Sequence, residues 1–151
     1  MCPADPTAVP GTIHGGCHCG ILRYTLAWPD TSAPTLRACG CDYCSRHGAA
    51  WTSHSAAPVT LTLDDPGAAL AYRFGSGTAD FLSCARCGVL VIACCALPDG
   101  ERAVVNGNTF DSLDPGHCPR VATDFDSEAG DTAARLARRQ RNWSPLVRTR
   151  A

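Results

Sequence analysis

Eleven cysteines stand in a chain of 151 residues, and most of them fall into three tight groups. Cys17-x-Cys19 is followed directly by Gly20, and Cys84-x-x-Cys87 directly by Gly88. Thiolates are soft ligands that select zinc or an iron–sulfur cluster over hard cations. Two short knuckles far apart in sequence supply the four thiolates of a closed tetrahedral zinc site, and the glycine after each permits a tight turn with backbone amides directed at sulfur. Cys17, Cys19, Cys84 and Cys87 are therefore the expected ligands of a structural zinc. The third group, Cys39-Gly40-Cys41-Asp42-Tyr43-Cys44, offers three thiolates within six residues. Three protein ligands leave a position for water, an external thiol or a carbonyl oxygen, so Cys39, Cys41 and Cys44 are the expected ligands of a catalytic zinc. A fourth cysteine would close that site as well, and Cys94, Cys95 and the more weakly placed Cys118 are the candidates. The cofactor expected is Zn2+ at two sites.

Around the third group, His47 follows Cys44 by three residues. It could protonate an alkoxide formed at the metal or orient a ligand sulfur, and it reads equally as a solvent-facing loop histidine. His18, between two ligands, is expected to point away from the metal. His54 and His117 sit in no motif. Tyr43 is expected to pack beneath the three-cysteine loop. Cys94 and Cys95 lie in an apolar run and read as small buried residues, only one of which can face a given side of a strand.

Short strands separated by turn signals must position these groups, and they indicate a mainly β domain. The candidates are Ile21 to Trp28, Ala49 to His54, Val59 to Leu63, Leu70 to Phe74, the continuous apolar run Val89 to Cys95, and Ala103 to Asn106 after the turn Pro98-Asp99-Gly100. Residues 1–15 read as an irregular arm, of which 1–11 is flexible. One helix is expected near the end, with Asp131 as its cap, Leu136 and Trp143 on a shared face, and Pro145 just beyond its stop. The expected organisation is a flexible arm over 1–11, a zinc-binding domain over 12–126 and an Arg-rich helical extension over 127–151 packed on that domain.

Composition narrows the function classes. The net charge is -1 and aromatic residues are only 7%, so there is no polyanion-binding bias overall and an aliphatic core must be helped by something besides packing. All 13 basic residues are arginine. The proline-containing N-terminus lacks the basic region of a signal peptide, no stretch has the length and apolarity of a membrane span, and clustered cysteines suit metal binding in a reducing cytosol. A cytoplasmic protein without a membrane partner is expected. The tail arginines Arg135, Arg138, Arg139, Arg141, Arg148 and Arg150 are the sole hint of a nucleic-acid partner. They read instead as a solvated helix face, and no aromatic residues alternate with them to make a single-strand platform. No feature specifies an oligomeric state.

Gly16-Cys17-His18-Cys19-Gly20, Cys39-x-Cys41-x-x-Cys44 and Ser83-Cys84-x-x-Cys87-Gly88-Val89, in this order, resemble the glutathione-dependent formaldehyde-activating enzyme family, which includes the centromere protein V group. Arg23-Tyr24 after the first knuckle and Ser45-Arg46-His47-Gly48 after the second group also fit, and the resemblance covers about Thr12 to Asn108. It implies a tent-like β fold around zinc, with the same division of the seven cysteines into structural and catalytic sets. It also implies carbon–sulfur lyase chemistry on small thiol and aldehyde partners, condensing formaldehyde with glutathione to S-hydroxymethylglutathione. Glutathione carries two carboxylates, which arginine recognises well. Arg46, beside the three-cysteine group, is the first candidate, with Arg37 and Arg86 behind it. The apolar, thiol-ended segment Leu90 to Cys95 and the Arg-rich tail depart from the family pattern. The competing expectation is a zinc-binding module in which both metals are structural.

Overall fold

The structure is a computed structural model describing residues 11–124 and 130–150. In chain order its strands are β1 (Ile13–Gly16), β2 (Leu22–Leu26), β3 (Leu36–Cys39), β4 (Ala50–Thr52), β5 (Val59–Leu63), β6 (Ala69–Tyr72), β7 (Asp80–Cys84), β8 (Leu90–Leu97), β9 (Gly100–Asn106), β10 (Arg120–Thr123) and β11 (Ser144–Arg150). Two α-helices complete it, α1 (Asp42–His47) and α2 (Thr132–Asn142). The fold is mainly β, with a helix near the C-terminus.

Hydrogen bonding runs β1-β2-β5-β11-β9-β4-β3-β10, and a second branch, β6-β7-β8, joins at β9. β8 and β9 therefore lie at the junction of the sheet, and their sequences suit that position. All but the last two residues of β8 are buried, as expected of a strand covered on both faces. Its residues divide between two cores. Val91, Ile92 and Cys94 join a large aliphatic cluster with Ile13, Leu22, Leu36 and Val59. Leu90, Ala93 and Cys95 join a smaller one with Trp51, Val104 and Trp143. The adjacent cysteines thus face opposite sides, as strand alternation requires.

The structure departs from the sequence expectations at both ends. Ile13–Gly16, read as part of the arm, is a strand paired antiparallel with β2; two glycines and a histidine hide its propensity. The arm itself, apart from Gly11, lies outside the described residues. Beyond α2 the chain does not trail off at Pro145. Leu146–Arg150 pair in parallel with β5, while Ser144 and Pro145 pair with β9. The last strand thus holds the two halves of the sheet together. α2 itself spans the expected residues, and the Asp131 carboxylate accepts a hydrogen bond from the Ala134 amide at 2.9 Å. Among the described residues no helix is long and apolar enough to cross a membrane.

Candidate metal centres and the cavity beside them

The turn between β1 and β2 carries Cys17 and Cys19, while Cys84 ends β7 and Cys87 lies in the turn that leads to β8. The fold brings the four sulfurs within 4.8 Å of one another. Cys19 Sγ lies 3.7 Å from Cys17 Sγ and 3.6 Å from Cys84 Sγ. A disulfide would need about 2.05 Å, whereas sulfurs at the corners of a tetrahedron around zinc lie about 3.8 Å apart. The donor set fits the metal. Gly20 and Gly88 adopt φ of 87° and 80°, which a Cβ would disfavour. The turns they allow aim amides at sulfur: Leu22 N–H donates to Cys17 Sγ, and Arg86 and Cys87 N–H both donate to Cys84 Sγ, each at 3.3 Å. Burial opposes ionisation of Cys87, but the Val89 and Cys19 amides and the neighbouring thiols outweigh it and bring that thiol down to about 6. The Ile21 amide favours the Cys19 thiolate, yet desolvation and the surrounding thiols push it up to about 11.

The second group sits where β3 ends and α1 begins. Cys39 closes the strand, Cys41 is the helix N-cap, and Cys44 lies one turn in, so its amide donates to Cys41 Sγ at 3.3 Å. This helical turn is absent from the sequence reading, which treats Asp42 to Gly48 as loop. Its signals are Asp42 in the first turn and Gly48 in the left-handed conformation at the end. The three sulfurs again lie within 4.8 Å, and among the described residues no fourth cysteine, histidine or carboxylate joins them. Cys94, Cys95 and Cys118, the candidates for closure, are directed elsewhere: to Arg148 at 3.3 Å, to Arg139 at 3.5 Å and to the Asp114 carbonyl at 3.9 Å. Cys44 is buried, and the Trp51 indole N–H donates to its sulfur at 3.4 Å. The Cys39 thiol and desolvation raise Cys44 well above the ordinary thiol range.

The three cysteines line a cavity of about 880 Å³. Arg46 and Arg37 line it too. Arg46 is largely exposed and paired with Asp42 at 3.2 Å, and Arg37 donates to Ser53 Oγ at 3.0 Å. His47 ends α1 with its ring 4.9 Å from that of Tyr43 and is not among the lining residues. Arg86 lies at the four-cysteine site, and His18 is exposed. Tyr43 packs among Tyr72, Phe74 and Phe81.

Three of the six tail arginines depart from a solvated face, while Arg141, Arg148 and Arg150 are exposed. Arg135, Arg138 and Arg139 line the cavity, because positions i, i+3 and i+4 share one helix face. Arg139 is 6% exposed. Its guanidinium lies 4.8 Å above the Trp143 ring and donates to Thr78 Oγ1 at 2.7 Å. Burial lowers its proton affinity, as do Arg138 and Arg135, against the opposing effect of Cys95. The spacing of these arginines marks a shared helix face in the sequence, but not the direction in which that face turns.

Comparison with known proteins gives three findings. A family model described as "Glutathione-dependent formaldehyde-activating enzyme" matches residues 12–127, ending before α2. No curated protein matches the chain. Among solved structures, a crystal structure of a Rhodobacter sphaeroides protein, determined as a structural-genomics target, is similar with a TM-score of 0.53 at 24% identity, covering 72% of this chain and 99% of that one. At that identity the likeness concerns the fold.

Proposed function

The chain belongs to the glutathione-dependent formaldehyde-activating enzyme family, and on that premise we propose that it is a zinc-dependent carbon–sulfur lyase-like enzyme acting on thiol–aldehyde adducts. For the pair that names the family, the reaction is the joining of glutathione and formaldehyde into S-hydroxymethylglutathione, or its reverse. The observation that carries this reading is the three-thiol set of Cys39, Cys41 and Cys44, opening on a cavity with no fourth donor among the described residues. Zinc held there would keep a coordination position for an external thiol and lower its proton affinity. The four-thiol set is assigned to a structural zinc. All ten cysteines among the described residues are free, which suits a reducing compartment such as the cytosol.

The chain's own residues have separable roles in this proposal. The Trp51 N–H fixes Cys44, and the helix cap fixes Cys41, so the sulfurs are held before ligand arrives. Arg46 and Arg37 present guanidinium groups to the carboxylates of the thiol substrate. In the forward direction the thiolate sulfur attacks the aldehyde carbon, a C–S bond forms, and the carbonyl oxygen gains a proton. His47, which stands off the cavity wall, is assigned that proton transfer through an intervening water.

Exchange NMR of glutathione with labelled formaldehyde tests the reading, because it measures formation and breakdown of the adduct together above the spontaneous rate. Zinc-loaded protein should accelerate exchange. Cys41→Ser should lose the acceleration along with one of two bound zincs, and His47→Gln should lose the acceleration but keep both metals. A wild type that binds two zincs and leaves the exchange rate unchanged would establish the zinc-module alternative.

A further inference from the structure

Aromatic side chains are scarce in this protein, at 7%, yet their distribution is uneven. Of three tryptophans, three tyrosines and four phenylalanines, six line the one cavity beside Cys39, Cys41 and Cys44: Tyr43, Trp51, Tyr72, Phe74, Phe81 and Trp143. The larger core holds three aromatic residues, Tyr24, Trp28 and Phe110, among mostly aliphatic ones. Several of the cavity rings are not needed to fill the interior. Tyr72, on the outermost strand of its branch, is 52% exposed and stacks on Phe74 at a centroid distance of 5.7 Å.

Facing the rings is a cationic wall from α2, beyond the family-matched segment. Its centre, Arg139, is buried, and its Nε has no hydrogen-bond partner. Among the described residues Arg139 has no carboxylate partner; its polar contacts are Thr78 and Cys95. A buried guanidinium beside other guanidinium groups is costly unless an anion offsets it. The cavity is also far larger than a one-carbon aldehyde needs and lies in the range of pockets for drug-sized ligands.

We propose that this cavity is built for an aromatic carboxylate: its flat apolar body lies against the Tyr43, Tyr72 and Phe74 rings and its carboxylate is held by the Arg139 wall, so that the preferred thiol or aldehyde partner is an aryl acid rather than a polar peptide. The inference rests on the proposed reaction for its chemistry, but ligand recognition by rings and arginine is independent of it. Arg139 is here a specificity-determining residue, and Tyr72 is a wall of the aromatic subsite.

Calorimetric titration of the zinc-loaded protein with naphthoate, with the neutral naphthalene methanol and with glutathione tests this. Naphthoate lacks a thiol, so its binding is read apart from catalysis. The expected result is that naphthoate binds about tenfold or more tightly than the neutral alcohol, the worth of a charge-assisted hydrogen bond, and more tightly than glutathione. Arg139→Gln should abolish the preference for the acid. Tyr72→Ala, at an exposed position, should weaken acid and alcohol alike. Should Arg139→Gln fail to fold, the wild-type comparison and Tyr72→Ala decide. Equal binding of acid and alcohol, tighter binding of glutathione, or no effect of Tyr72→Ala overturns the proposal. So does a naphthoate-induced change in the spectrum of cobalt at the three-cysteine site, which would place the carboxylate on the metal. Failure of the reaction itself shows elsewhere, as unaccelerated exchange with naphthoate binding intact.

Discussion

Removing one knuckle of the four-cysteine site and removing two ligands of the three-cysteine site should have unequal effects on stability. Cys19 and Cys84 lie 65 positions apart, so a metal shared by the two knuckles closes a long loop in the unfolded chain. On the loop-entropy relation used for disulfides this constraint stabilises the fold by about 4 kcal/mol. The same relation gives about 2 kcal/mol for a six-residue loop such as Cys39 to Cys44, and there α1 already holds the segment. Serine at position 41 would also remain a good helix cap. The double variant Cys84→Ser/Cys87→Ser should therefore melt on the order of 10 °C below the zinc-loaded parent, and Cys41→Ser/Cys44→Ser about 5 °C below or less. The estimate for the first pair is a lower bound, because coordination free energy is itself folding free energy. Thermal unfolding followed by circular dichroism reads both. Chelation of the parent should bring its midpoint close to that of the first variant. The reasoning is refuted if the second pair is as destabilising as the first, or if Cys84→Ser/Cys87→Ser melts within about 2 °C of the parent.

Two further outcomes follow from local geometry. Asp80 accepts from Arg73 at 2.6 Å and 3.2 Å, and this pairing holds its carboxyl below the usual range. Because the folded-state pKa is depressed, the stabilisation is present above the ordinary carboxylate range and lost as pH falls through the depressed value. The pair is partly exposed, so it amounts to less than about 1 kcal/mol; Asp80→Asn should lower the neutral plateau of the stability curve by that amount, leave stability below the depressed value nearly unchanged, and so flatten the acid limb in chemical denaturation. Asp131→Ala removes the hydrogen bond that caps α2, which should cost about 1 kcal/mol and lower the melting midpoint by about 3 °C.

What could be read from the sequence was the part governed by short-range chemistry. The knuckle cysteines with their glycines, the alternating Val59–Leu63 and the apolar run Val89 to Cys95 each declare themselves within a few residues; the cysteines do come together, and the strands stand at Val59–Leu63 and Leu90–Leu97. β11 was illegible because its role depends on pairing with β5 and β9, elements distant in sequence, and Pro145 at its start argues locally against a strand. β1 was hidden by its glycines. The cavity posed a similar difficulty. Cys39, Cys41 and Cys44 announce the site, whereas Tyr72 reaches it through β6, Phe74 from just beyond that strand, and Arg139 through α2. Charge pattern alone assigned those arginines to solvent, since nothing local reveals that the helix turns its Arg135–Arg139 face inwards. His47 shows the opposite limit, since sequence proximity to Cys44 places it on the same short helix but not along the cavity wall.

Catalysis at the three-cysteine site requires that it accept a thiol from outside the protein. Cobalt placed in both sites and titrated with glutathione measures this directly, because the d–d and charge-transfer bands report each sulfur ligand. The closed four-thiolate site should be silent, so the account predicts a glutathione-dependent change in the wild type that disappears in Cys41→Ser. A wild-type spectrum unchanged at millimolar glutathione, or a change that persists in Cys41→Ser, would contradict it.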